Sequence, residues 1–139
     1  MFLFDTNVVS ASRRPDKQDM SFRTNIGRIA SQLSFLSVIT IMELRFGAQS
    51  QRPKDADFAN ELERWINEVV LVNYADRILP FDTPIALRAG TLPTLNKRPS
   101  PDAMIAATAL HHGLTVVTRN IADFEPLGIL CLDPWTSAG

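Results

Sequence analysis

Met1-Phe2-Leu3-Phe4-Asp5-Thr6-Asn7 opens the chain: a short apolar run that breaks at once into an acid and two polar residues. Such a run suits a strand buried on both faces, and Asp-Thr-Asn is a turn or helix-start signal. The same alternation recurs along the sequence. Phe35 to Ile39 reads as a second strand, with a helix from Thr40 to about Ala48 behind it. Arg77 to Phe81 gives a third strand. Leu114 to Thr118, Val-rich and flanked by breakers, gives a fourth, and Ile129 to Leu132 a last one before Pro134-Trp135. Helical spacing fills the intervals. Phe22 to Gln32 sets Ile26, Ile29, Ala30 and Leu33 on one face, and Asp55 to Val70 carries a stripe of Phe58, Leu62, Trp65, Ile66, Val69 and Val70. Thr83-Pro84 opens another helix, and Ser100-Pro101-Asp102 starts one that runs to His112 and stops at Gly113, a residue suited to a left-handed cap. Arg13 to Asp16 and Leu92 to Pro101 read as loops. Strands alternating with helices predict one α/β domain over residues 1–139, with a mainly parallel sheet of four to five strands.

Composition narrows the class. A chain of 139 residues with 45% hydrophobic content can build a single core. Its lone cysteine, Cys131, makes no internal disulfide, which fits a reducing, cytoplasmic compartment. No apolar run approaches the roughly 20 residues that span a bilayer, and the start does not read as a signal peptide. A net charge of −1 excludes wholesale electrostatic capture of nucleic acid or membrane, so a polyanion has to be held by a local basic patch.

Four acids stand in one recurring context. Asp5 and Asp123 follow strands, whereas Glu43 and Asp102 fall in the first turns of helices. In open α/β sheets, ligands bind outside the carboxyl ends of the strands, and all four acids are aimed there. Capping accounts for each singly: Thr40-Ile41-Met42-Glu43 matches a capping box, Asp102 is a first-turn acid, Asn120 followed by Asp123 is a start signal, and Asp5 suits an N-cap. Capping tolerates Ser, Thr or Asn at several of these places, yet the chain uses an acid at each. Two carboxylates about 4 Å apart repel by roughly 4 kcal/mol at an effective dielectric near 20, so such a cluster calls for a divalent cation. Oxygen ligands without cysteine point to Mg²⁺ or Mn²⁺ rather than zinc.

The blocks Met1 to Ser10, Leu36 to Gly47, Asp102 to Ala109 and Val117 to Phe124, closed by Pro134-Trp135, resemble in order and spacing the PIN-domain ribonucleases. The likeness is strongest to VapC-type toxins of bacterial toxin–antitoxin pairs, in particular the FitB-like branch. It implies a three-layer α/β/α domain and a Mg²⁺-dependent endoribonuclease, with Asp5, Glu43, Asp102 and Asp123 around the metal and Asp5 and Asp102 its most direct ligands. Thr6, Asn7, Thr118 and Asn120 match positions that orient ligands or water. A small antitoxin and a homodimer or dimer of dimers are implied as partners, with DNA reached only through the antitoxin. The proline-rich approach over Leu92 to Pro101 departs from the family pattern.

The implied reaction is hydrolysis of an RNA phosphodiester. Candidate phosphate contacts are Arg13, Arg14, Lys17, Arg45, Lys97, Arg98 and Arg119, with Arg45 and Arg119 favoured because they neighbour the acids. His111 and His112 end the helix that Asp102 begins, where imidazoles suit the dipole rather than catalysis. The Phe58 to Val70 stripe serves the core, with breadth left over for a partner helix. Two other readings compete: a catalytically inactive PIN-like module that binds RNA or protein, and a phosphoacceptor receiver domain. The latter expects paired acids after the first strand and a Lys after the last, and the chain has neither.

Overall fold

Five short strands pair into one sheet in a computed structural model that describes residues 1–29, 33–94 and 98–136. The strands are β1 (Phe2–Phe4), β2 (Ser34–Ser37), β3 (Ile78–Leu79), β4 (Thr115–Val117) and β5 (Cys131–Leu132). Their order across the sheet is β3-β2-β1-β4-β5, and every pairing is parallel. Phe2 lies opposite Ser34 on one side and Thr115 on the other, which makes β1 the central strand.

Side chains alternate across a strand, and here that alternation builds two cores. Leu3, Phe35, Leu79 and Val116 join one cluster with Ile105, Ala106 and Ala109 of helix α7 (Pro101–His112) and Phe124 of the one-turn helix α8 (Ile121–Phe124). Phe4, Leu36 and Val117 turn the other way. They pack on α1 (Thr6–Ser12), α2 (Met20–Gly27) and α3 (Val38–Gln51) through Val8, Val9, Phe22, Leu44 and Ala48. The outcome is the three-layer α/β/α arrangement with a fully parallel sheet. Parallel strands need both faces covered, so the apolar runs and the flanking helices have one cause.

Several boundaries differ from the sequence expectation. The helix expected from Thr40 begins at Val38, because Ser37 caps it by accepting the Ile39 amide at 3.0 Å. Glu43 therefore sits in the second turn, and the capping-box reading of Thr40 and Glu43 fails. The long stripe is α4 (Ala56–Trp65), a wider π-helical turn over Ile66–Val70, and a final turn α5 (Leu71–Asn73). That wider turn shifts the helical phase, which leaves Val69 exposed while Ile66 and Val70 are buried. Helix α2 ends at Gly27, and the expected end at Gln32 lies outside the described residues. Helix α6 (Thr83–Ala89) begins at Thr83-Pro84 as read. Gly113 terminates α7 at φ 67° and ψ 37°, the left-handed conformation that disfavours a side chain. The closing segment is tied back to α2: the Trp135 ring lies 4.5 Å from Phe22, and Asn25 donates to the carbonyls of Pro134 and Thr136. No helix among the described residues is long and apolar enough to cross a membrane.

Candidate active site

The chain builds β1, β2 and β3 to one side and then β4 and β5 to the other, so the direction of growth reverses between β1 and β4. Ligand crevices of open α/β sheets form at such reversals, beyond the carboxyl ends of the strands. Asp5 lies there, immediately after β1. It caps α1 through Oδ1, which accepts the Thr6 amide at 2.8 Å. Its other oxygen accepts from the Thr118 hydroxyl at 2.7 Å and from the Asn7 amide group at 3.2 Å. Asp5 is 4% exposed, and burial pushes its carboxyl above the ordinary range against the pull of those hydrogen bonds, with the charge of Asp123 adding to the rise.

The polar residues flagged beside Asp5 form one network. Thr118, fully buried at the end of β4, also accepts the Asn120 amide at 3.0 Å, while the Asn7 carbonyl oxygen accepts the Arg119 amide at 3.2 Å. Asn120 thus takes part through its backbone, and its side chain caps nothing. Thr6 reaches the opposite way. Its hydroxyl donates to Glu43 Oε1 at 2.6 Å and lies 3.3 Å from the Thr40 hydroxyl. Glu43 is thereby held across 37 residues of sequence to the strand end that carries Asp5.

Asp102 follows Pro101 in the first turn of α7, where Ser100 caps the helix by accepting the Ala103 amide at 3.1 Å. Its carboxyl is pushed up to about 6 by burial and then by the charges of Asp5, Asp123 and Glu43. Three other acids are therefore close enough for their charge to be felt at Asp102. Asp102 and Asp123 also line a common cleft of about 310 Å³, together with Arg98 and Ser100.

The acids share a field without forming a ready-made cage: among the described residues, no group of three or more His, Cys, Asp and Glu side chains is drawn close enough to hold a metal ion. The donor set nonetheless fits a hard cation. Mg²⁺ is commonly held by only one or two carboxylates and keeps several waters, so a closed protein cage is not required. An aspartate raised to about 6 by burial and by three neighbouring acids marks a place short of positive charge.

The favoured arginines point elsewhere than expected. Arg45 pairs with Glu63 of α4 at 3.1 Å, and Glu63 also takes Arg52 at 2.6 Å. The Arg119 guanidinium lies over the Trp135 ring at 4.9 Å, and that of Arg13 over Phe58 at 5.4 Å. Arg14 pairs with Asp16, and Lys97 lies outside the described residues. Among the described residues, Arg98 is the cation that the cleft gathers beside Asp102 and Asp123. Its sequence signal was weak, because it stands in the proline-rich stretch without periodicity.

The PIN-domain profile matches residues 2–125. The chain belongs to the PIN-domain family. It is 33% identical to the protein named Toxin FitB of Neisseria gonorrhoeae, over 97% of this chain and 99% of that one. Identity to the VapC ribonuclease Y4jK of Sinorhizobium fredii is 34%, over 99% and 100% of the two chains. Among solved structures, FitAB bound to an IR36 DNA fragment superposes with a TM-score of 0.85 at 30% identity, covering 100% of this chain and 99% of that one. The FitAcB crystal structure from Neisseria gonorrhoeae gives 0.84 at 31%, covering 97% and 99%. The chain is thus a PIN-domain homologue of toxins that are found in toxin–antitoxin complexes.

Proposed function

We propose that this protein is a metal-dependent endoribonuclease, the toxin of a type II toxin–antitoxin pair, working in the cytoplasm as a homodimer or dimer of dimers. One observation carries the reading: at the carboxyl edge of the sheet the charges of Asp5, Asp123 and Glu43, from three separate segments, add to burial in raising Asp102 to about 6. Asp5 and Asp102 would hold Mg²⁺ or Mn²⁺, with Glu43 and Asp123 completing the negative field. A bound cation supplies positive charge against the phosphoryl oxygens and makes a nearby water more acidic.

The rest is done by the chain's own groups. Thr118, Asn7 and the Thr6 amide fix the Asp5 carboxylate, so that its orientation does not depend on ligand. Thr6 holds Glu43 on the opposite flank, and either Glu43 there or Asp123 on α8 accepts a proton from an attacking water. A partner is supported by an exposed apolar row on α3, formed by Val38, Met42 and Phe46 at intervals of four residues. The antitoxin reading rests further on the family's solved complexes.

The test is cleavage of RNA by the purified protein. Activity with Mg²⁺ or Mn²⁺, lost with chelator and lost in a folded Asp5→Asn variant, is the expected result. Binding of RNA without cleavage under any divalent ion, unchanged by Asp5→Asn, would instead favour the inactive binding module.

A further inference from the structure

The cleft beside Asp102 and Asp123 has the composition of a nucleotide subsite. Pro126 and Leu127 give it apolar walls, Arg98 gives it one cation, and Ser100 contributes a hydroxyl. Because Ser100 Oγ accepts the Ala103 amide, its proton stays available to donate. Arg98 is exposed and makes no salt bridge with a described residue, although two acids line the same cleft. Every other arginine discussed above is engaged with a carboxylate or an aromatic ring. A volume of about 310 Å³ lies at the small end of ligand pockets, enough for a single planar ring system.

We infer that this cleft takes the base of the nucleotide next to the cut, with Arg98 on a flanking phosphate. The inference rests on the nuclease reading and names the subsite that reading lacks. A flat apolar base joined to an anionic phosphate matches apolar walls joined to a cation that pairs with no described carboxylate. The placement matters as well, since Asp102 and Asp123 belong both to the cleft and to the acidic edge. A base seated there puts its own phosphodiester beside the acids. A second cleft, lined by Thr6, Glu43, Phe58 and Trp65, fits less well, because its cation Arg13 already lies over Phe58.

Two experiments test this. The first needs no cleavage: the metal-free protein is titrated with each of the four nucleoside 5′-monophosphates and with ribose 5-phosphate, and backbone amide shifts are followed. At least one mononucleotide is expected to move the amides of Thr94, Ser100 and Ala122, while ribose 5-phosphate leaves them in place. Ala122→Trp, at an exposed position lining the cleft, is expected to keep the melting temperature and remove the shifts. The second uses a short RNA carrying one abasic nucleotide, moved a position at a time. One position next to the cut is expected to cost about tenfold in kcat/KM, a typical loss for a base contact. The same substrate is expected to cost nothing further in Ala122→Trp, which already cleaves intact RNA about tenfold less well. Arg98→Ala is expected to raise KM more than it lowers kcat, with partial rescue by Arg98→Lys. Equal shifts by ribose phosphate, no shifts at all, or equal abasic penalties in both proteins would overturn the subsite. Cleavage that fails while the mononucleotide shifts persist would count against the nuclease reading alone.

Discussion

Replacing Asp102 by Asn in the metal-free protein tests the electrostatics of the acidic edge. The carboxyl is raised from 3.8 to about 6, roughly 3 kcal/mol at about 1.4 kcal/mol per tenfold change in proton affinity. The side chain is only partly buried, and solvent screening brings that to about 1 kcal/mol. The folded state holds the proton more tightly than the unfolded chain. Wild-type stability therefore falls as pH rises from about 4 to 6 and levels off above that, whereas Asn has no such loss. The dipole of α7 opposes this, since a first-turn anion is worth about 0.5 kcal/mol. The net gain for Asp102→Asn at pH 7.5 is about 0.5 kcal/mol, or about 2 °C for a domain of this size. Scanning calorimetry in chelator, with both proteins run from pH 4 to 7.5, reads the difference. It is expected to be near zero at pH 4 and to grow with pH. A variant that melts below wild type at pH 7.5, or a difference that ignores pH, would show that Asp102 is an ordinary helix-start acid.

Thr118→Val removes the hydroxyl that donates to buried Asp5, at a cost of about 1–3 kcal/mol in urea unfolding. The lost donor lets the Asp5 carboxyl rise further, so the acid limb of the pH–kcat/KM profile is expected to move to higher pH. Trp135→Ala gives up the packing on Phe22 and the perch of Arg119, for about 2 kcal/mol, less than the roughly 3–5 of a fully buried aromatic. Glu63→Gln releases Arg45 and Arg52 from an exposed ion pair, so an unchanged melting temperature is expected, together with tighter RNA binding at low salt.

What could be read in the residues, and what could not, follows from which interactions are local. Phe2-Leu3-Phe4 before Asp5 identifies a strand end by periodicity and turn chemistry alone, and Gly113 identifies a left-handed stop by lacking a side chain. The four acids stand out in the sequence because Asp5 ends a strand, Glu43 follows one closely, and Asp102 and Asp123 fall in the first turns of helices. Sequence spacing leaves the start of α3 ambiguous, because Ser37 and Thr40 are both suitable caps. The choice was made by the path of the chain leaving β2, and Glu43 then found Thr6 instead of Thr40. Arginine partners depend on contacts that sequence spacing does not carry. Arg45 meets Glu63 only because α3 packs on α4, and Arg119 meets Trp135 only because the closing segment folds back on α2. Arg98 lines the cleft beside Asp102 and Asp123, a placement that no periodic pattern announces.

The most direct measurement is anomalous diffraction from crystals of the protein soaked in Mn²⁺. A single strong peak within coordination distance of the Asp5 and Asp102 carboxylates, absent in Asp5→Asn crystals of the same form, is the expected result. A map without a peak there at saturating Mn²⁺, or with the ion held by other residues, would contradict the claim that these acids were brought together to hold a cation.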